Sequence, residues 1–187
     1  MSQENQEVVR KPYRVRERSR RTLDERLGIR FPKVPRLTSR LLSRLPPSSQ
    51  VRQAALWREF RRNAEAFNRR DFEAVLLNYH PDFEFRPPRQ LADSGIADPS
   101  YRGRDGYLRF MSGWFSAWGD FRFEPKEAID LGDRGVVIGK LAGRGGGSGG
   151  VVDQPFAVVY ELNDGSVTRH QDYYGPAEAL EAVGLRE

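Results

Sequence analysis

Apolar residues enter this chain late and in pieces, and their spacing divides it. Residues 1–20 are polar, charged and without period, which predicts a disordered tail. From Arg21 to Pro47 leucines return one helical turn apart, as Leu23 with Leu27 and Leu37 with Leu41. The stretch Thr38-Ser-Arg-Leu-Leu-Ser-Arg-Leu reads as a short amphipathic helix closed by Pro46-Pro47. Residues 21–49 are therefore a basic, partly helical extension. Ser48-Ser49 can cap a long helix to about Arg69, with Val51, Ala55, Phe60, Ala64 and Phe67 as its apolar stripe and arginines on the far side. Asp71 caps a second helix, with Phe72, Val75, Leu76 and Tyr79 inward and His80-Pro81 as its stop. Asp82–Arg86 alternates like a strand. Residues 89–102 have no period and read as a polar loop of the kind that borders a binding site. Asp105 caps a third helix, which Tyr107, Phe110, Trp114 and Trp118 make aromatic on more than one face.

A period of two governs most of what remains. Strands are expected near 121–131, 136–144, 151–162 and 166–174. Asp164-Gly165 is a two-residue hairpin signal that demands positive φ, and Pro155 belongs at a bulge or an edge. A last helix, Ala177–Val183, ends at the C-cap Gly184. Helices with one early strand, then a four-stranded antiparallel meander, then a short helix make an α+β domain over residues 50–185. Its helices gather on one face of a curved sheet.

Charge sharpens the division. Residues 1–62 hold 17 Lys/Arg against 6 Asp/Glu, a net of +11, while the remainder holds 14 against 20, a net of −6. Only four of the basic residues are lysines, a bias of overall composition rather than a recognition signal. The absence of cysteine excludes disulfides and thiolate metal sites, and two histidines leave little for zinc. No cofactor is expected. With no apolar run near the roughly 18 residues of a membrane span and no secretory pattern at the N-terminus, a cytoplasmic location is expected.

The candidate chemistry lies in Asp164–Tyr174. Alternation puts Thr168, His170, Asp172 and Tyr174 on one side of this strand, and Val167, Arg169, Gln171 and Tyr173 on the other. A regular hairpin at Asp164-Gly165 sets Asp172 opposite Ala157 and His170 opposite Val159, with Phe156, Val158 and Tyr160 on the other face. Gly143-Arg-Gly-Gly-Gly-Ser-Gly-Gly lacks the Lys-Ser/Thr and following helix of a phosphate loop, so it reads as a flexible β connection able to act as a lip over a cavity.

Five stretches occur in an order that resembles a SnoaL-like domain of the nuclear transport factor 2-like superfamily: Asn68–Leu76, Tyr79–Glu84, Tyr101–Gly106, Asp164–Arg169 and Ala177–Leu185. The resemblance covers about residues 50–185. It implies a cone-shaped barrel in which a bent antiparallel sheet wraps three helices around an internal apolar cavity. Relatives include ketosteroid isomerase, polyketide cyclases and limonene epoxide hydrolase, and homodimers are common among them. The stretch Arg21–Leu27 with Phe31-Pro32 resembles an N-terminal extension of actinobacterial members. His170-Gln-Asp-Tyr-Tyr resembles the last-strand motif of limonene epoxide hydrolase, which puts Asp172 at a catalytic position. The partner Arg-x-Asp of that enzyme has no counterpart in Val137–Gly143, and Gly175 stands at its second aspartate, which points away from epoxide hydrolysis.

Polyketide cyclases ask for less, an apolar cavity and one acid/base beside a ketone. The resemblance thus implies Asp172, helped by His170, as the catalytic pair. Tyr79, Tyr107, Phe110, Trp114, Trp118, Phe156, Tyr160 and Tyr174 are the candidate ligand-binding residues, around a small apolar ligand. Two functions stay open at this point: cofactor-free proton transfer, or a non-catalytic ligand-binding or dimeric interaction module. A third is contact of residues 10–44 with nucleic acid or an anionic membrane surface.

Overall fold

The computed structural model describes residues 8–10, 20–117, 120–144 and 150–185. Two helices, α1 (Leu23–Arg30) and α2 (Lys33–Ser43), precede the long α3 (Gln50–Asn68) and the short α4 (Phe72–Val75). Thr22 and Glu25 close a capping box on α1, Ser49 caps α3 by accepting from the Arg52 N–H, and Asp71 caps α4 by accepting from the Ala74 N–H. A 3-10 turn, Leu76–Asn78, leads into the strand β2 (Tyr79–Arg86). Then come α5 (Arg89–Asp93), β3 (Tyr101–Arg102) and α6 (Gly103–Ala117). The long strands β4 (Asp120–Asp130), β5 (Arg134–Arg144), β6 (Val151–Asn163) and β7 (Ser166–Tyr173) follow, and α7 (Pro176–Ala182) ends the described fold.

The fold is α+β, with one seven-stranded sheet that includes β1 (Val8–Arg10), in the order β1-β4-β5-β6-β7-β2-β3. Four differences from the sequence expectation bear on the site. First, the sheet is mixed and does not close: β2 runs parallel to β7, with Phe85 beside His170. Second, Tyr79 and His80 belong to β2, because the 3-10 turn ends the helical run one residue before Tyr79. Third, residues 89–102 carry α5 and β3 rather than an unbroken loop. Fourth, Val8–Arg10 pairs with β4 inside the stretch expected to be a disordered tail, since the edge of β4 leaves backbone groups for it.

On α3 the expected stripe shifts. Val51 is exposed, whereas Trp57 and Arg52 are buried. Arg52 is held because its guanidinium is fully used. Nε and Nη2 donate to Asp130 Oδ2 and Oδ1 at 2.5 and 2.8 Å, and Nη1 and Nη2 reach the carbonyls of Ser43, Leu45 and Gly132. This one side chain ties the end of α2 and the start of α3 to the β4–β5 turn.

The extension is bolted to the domain elsewhere too. Arg21 makes a two-pronged pair with Asp71, at 2.7 and 2.8 Å, and the fully buried Glu25 accepts from Arg69 at 2.9 Å. Asp164 and Gly165 adopt φ of 50° and 77°, the left-handed values a two-residue hairpin turn requires. A side chain at Gly165 would collide with the backbone of Arg40, so α2 lies directly against the β6–β7 turn. The sheet's inner face carries Phe121, Phe123, Val137, Leu141, Phe156 and Val158 against α3 and α6. Its outer face packs Ile129, Val136, Ala157 and Val159 against Ala179 and Leu180 of α7.

Candidate functional site

The placement of His170 and Asp172 is decided by one extra residue. Asn163 pairs with Ser166 and Leu162 with Val167, but Glu161 then pairs with Arg169, so Thr168 is a bulge. From there Tyr160 lies opposite His170 and Val158 opposite Asp172. The expected register, with Ala157 and Val159 opposite the pair, is therefore off by one. The expectation that Phe156, Val158 and Tyr160 occupy the other face is overturned for the same reason. Those three residues, His170 and Asp172 all line one cavity, and Val167 joins the same inner side three residues before His170.

Inside, His170 and Asp172 are each 6% exposed. His170 Nε2 lies 2.8 Å from Asp172 Oδ1, and its Nδ1 lies 2.8 Å from the Tyr79 hydroxyl. With the carboxylate ionised, Nε2–H donates to Oδ1 and the Tyr79 hydroxyl donates to the Nδ1 lone pair. Adding a proton to Asp172 reverses the pattern: the acid donates to Nε2, and Nδ1–H donates to the tyrosine oxygen. The tyrosine proton then turns toward Tyr160, whose hydroxyl also interacts with that of Tyr79. Asp172, His170 and Tyr79 thus form a buried hydrogen-bonded chain, with Tyr160 beside its far end.

Burial in this apolar setting pushes the Asp172 carboxyl above its ordinary range, and the neighbouring His170 offsets only part of that. Burial likewise raises Tyr79 and Tyr107 well above the ordinary tyrosine value, with neighbouring tyrosines and Asp172 adding to it. Tyr160 shifts in the same direction, and Tyr174 is pushed up to about 12, first by burial and then by Asp172. All four phenols are thus held as neutral donors. Tyr107 is 1% exposed, lines the cavity and has no hydrogen-bond partner for its hydroxyl among the described residues. Among the same residues no donor is paired with Asp172 Oδ2.

The cavity measures about 70 Å³ and is walled by Phe60, Phe67, Phe110, Met111, Trp114 and other apolar side chains, with Asn63 as a further polar group. Trp114, Phe121 and Leu141 are shared with a recess of about 190 Å³ that also touches Val152, Gln154 and Tyr174. Of the expected ligand-binding residues, Tyr79, Tyr107, Phe110, Trp114, Phe156 and Tyr160 line the inner cavity. Tyr174 lines the recess instead, and Trp118 lies outside the described residues, as do residues 145–149 of the expected glycine-rich lip. Sequence reasoning missed Phe121, Phe123, Val158 and Asn63 as cavity residues. Alternation along β4 marks the two phenylalanines, while the bulge hides Val158. Among the described residues no His/Cys/Asp/Glu group is arranged to hold a metal ion.

The fold is thus an α+β sheet packed over helices, enclosing an apolar cavity with a buried acid–histidine–tyrosine chain on its wall. The SnoaL-like domain family matches residues 60–170, and the chain belongs to that family. Solved structures agree on the fold. A nuclear transport factor 2-like protein of unknown function from Burkholderia pseudomallei is 26% identical, with a TM-score of 0.58 over 67% of this chain and 94% of that one. TerC, crystallised with polyporic acid, is also 26% identical, with a TM-score of 0.56 over 67% and 95%. A protein with a ketosteroid isomerase-like fold from Catenulispora acidiphila, in complex with trimethylamine, is 17% identical, with a TM-score of 0.53 over 68% and 92%. No curated protein matches the sequence significantly.

Proposed function

We propose that this domain carries out cofactor-free proton transfer on a compact apolar carbonyl compound. The observation that carries the reading is Asp172, a buried carboxyl raised above its ordinary range on the wall of an apolar cavity and joined to His170. A carboxylate whose pKa is raised by burial is a stronger base than an exposed one and can still return the proton, which suits enolisation, isomerisation or ring closure. Oδ2 of Asp172 takes the proton from the carbon beside the carbonyl, and the C–H electron pair becomes the enolate. Tyr107, held neutral and without a partner for its hydroxyl among the described residues, donates to the enolate oxygen. With the proton on Oδ2, Oδ1 still accepts from His170 Nε2–H and Tyr79 still donates to Nδ1, so the acid is held in place through the step.

The inner cavity is small beside the roughly 300–1,000 Å³ of ordinary ligand pockets. A substrate therefore seats its reactive end there and extends past Trp114 into the adjoining recess. That TerC, 26% identical, was crystallised with polyporic acid supports a pocket for organic molecules. A second reading, ligand binding without turnover, draws on the fact that both ring nitrogens of His170 are already satisfied within the protein. Exchange of α-hydrogens for deuterium in a panel of small cyclic ketones, followed by NMR, separates the two. Wild-type protein is expected to accelerate exchange for at least one ketone and Asp172→Asn to lose roughly 100-fold or more of it. Equal ligand-induced thermal shifts in both proteins, with no exchange in either, would leave binding alone.

A further inference from the structure

The extension presents an apolar face that the domain does not use. Of the ten large apolar side chains that stand exposed among the described residues, eight fall between Leu23 and Val51. Leu27, Phe31, Val34, Leu37 and Leu41 are each more than half exposed. On α2, Val34, Leu37, Leu41 and the following Leu45 recur on one stripe. Its inner side is already engaged: Pro35 packs toward Gly28, Arg36 reaches the Tyr79 carbonyl, and the helix backbone abuts the turn at Gly165. The stripe therefore has nowhere to turn but outward.

Charge identifies what covers it. From Arg26 to Ser49 there are six basic residues and no acidic one. Lys33, Arg40 and Arg44 run along one flank of the stripe. Arg40 pairs with Asp164, whereas Arg30, Lys33 and Arg44 have no ion pair among the described residues. A helix that is apolar on one outward side, cationic beside it and free of acid is suited to an interface of acyl chains and anionic headgroups. Nucleic acid would use the cations and leave the leucines wet. A second copy of α2 would bring cation to cation with no counter-charge. An acidic helical partner takes a groove, and although Leu27 and Val34 edge one of about 380 Å³, Leu37, Leu41 and Leu45 stand outside it.

We propose that α2, with the neighbouring end of α1, docks the protein on an anionic membrane surface by its Val34/Leu37/Leu41/Leu45 stripe. The helix lies in the interface rather than across it. No helix among the described residues is long and apolar enough to span a bilayer.

Full-length protein mixed with vesicles of phosphatidylcholine and phosphatidylglycerol, or of phosphatidylcholine alone, tests this by co-sedimentation. Partition into the mixed vesicles is expected, weakening as salt rises, with little into the neutral ones. Leu37→Ser with Leu41→Ser is expected to cut partition by roughly tenfold or more, and Lys33→Ser or Arg44→Ser by roughly fivefold each. These side chains are exposed, so thermal melting of the variants verifies that the fold is kept. Failure to bind mixed vesicles at low salt overturns the proposal, as does partition indifferent to the leucine pair. So too does a homodimer, seen by ultracentrifugation, that the leucine pair dissolves while lipid binding is absent. Binding to nucleic acid or an acidic protein in place of vesicles has the same force.

Discussion

A single carboxyl, Asp172, gives this domain a pH signature of its own. In the unfolded chain an aspartate titrates near 3.9, and in the folded protein burial holds this one higher. The folded state therefore binds the proton more tightly, and the stability this group contributes is full below about pH 3.9. That contribution is lost as pH rises through the raised folded value. Glu59 is half-buried and raised in the same sense by desolvation, but it is common to wild type and a variant at 172 and cancels in their difference. Melting temperatures of wild type and Asp172→Asn across the acidic to neutral range are expected to diverge, wild type losing stability relative to the variant as pH rises. Parallel curves would show that the carboxyl is not raised. The His170–Asp172 pair is legible in sequence, because two polar residues two apart on a strand share a side. Its third member is not. Tyr79 is separated from His170 by 91 residues, and only the parallel pairing of β2 with β7 brings the two together.

At the scale of elements the decisive feature is the bulge at Thr168. The Asp164-Gly165 turn is predictable because both positions demand positive φ, and the structure has both. Yet a turn sets register only for the pairs next to it, and one inserted residue exchanges the faces of everything beyond. Deleting Thr168 would leave a regular hairpin with His170 still opposite Tyr160 and Asp172 opposite Val158, so the pair keeps its aim into the cavity. Inserting one residue after Thr168, with the bulge kept, would instead move His170 and Asp172 opposite Val159 and Ala157, against the layer of Ala179 and Leu180. Urea unfolding of the insertion variant is expected to show a loss of roughly 2 kcal/mol or more. The deletion is expected to stay within about 1 kcal/mol. If the insertion matched the deletion, register would not be what aims the pair.

Across the whole molecule, the basic extension and the acidic domain behave as one folded unit. Glu25 is buried against Arg69, Arg21 grips Asp71, and Arg52 draws two carbonyls from the α2 end. A chain beginning at Ser49 would strip Arg69 of its buried partner and uncover the surfaces beneath α1 and α2. A loss of roughly 1.5–3 kcal/mol is expected from the lost charge-assisted hydrogen bonds, measurable as a lower urea midpoint. A truncated chain as stable as the full one would mean that the extension is only tethered. The same segment that anchors inward through Arg21, Glu25 and Pro35 presents its leucines outward, so the proposed membrane-facing role and the structural role use opposite sides.

Apolar periodicity by itself determined that α3, α6 and the four long strands exist, because one buried face per element is written every two or every three to four residues. The Asp164-Gly165 turn, the Ser49 and Asp71 caps and the polarity of charge along the chain were equally local, and equally readable. What only the tertiary structure decided was long-range. It placed β2 parallel to β7, buried Arg52 against an aspartate 78 residues away, and absorbed Thr168 so that the acid faces the cavity. None of these leaves a local mark, because each is chosen by the packing of distant segments rather than by the preference of any one of them.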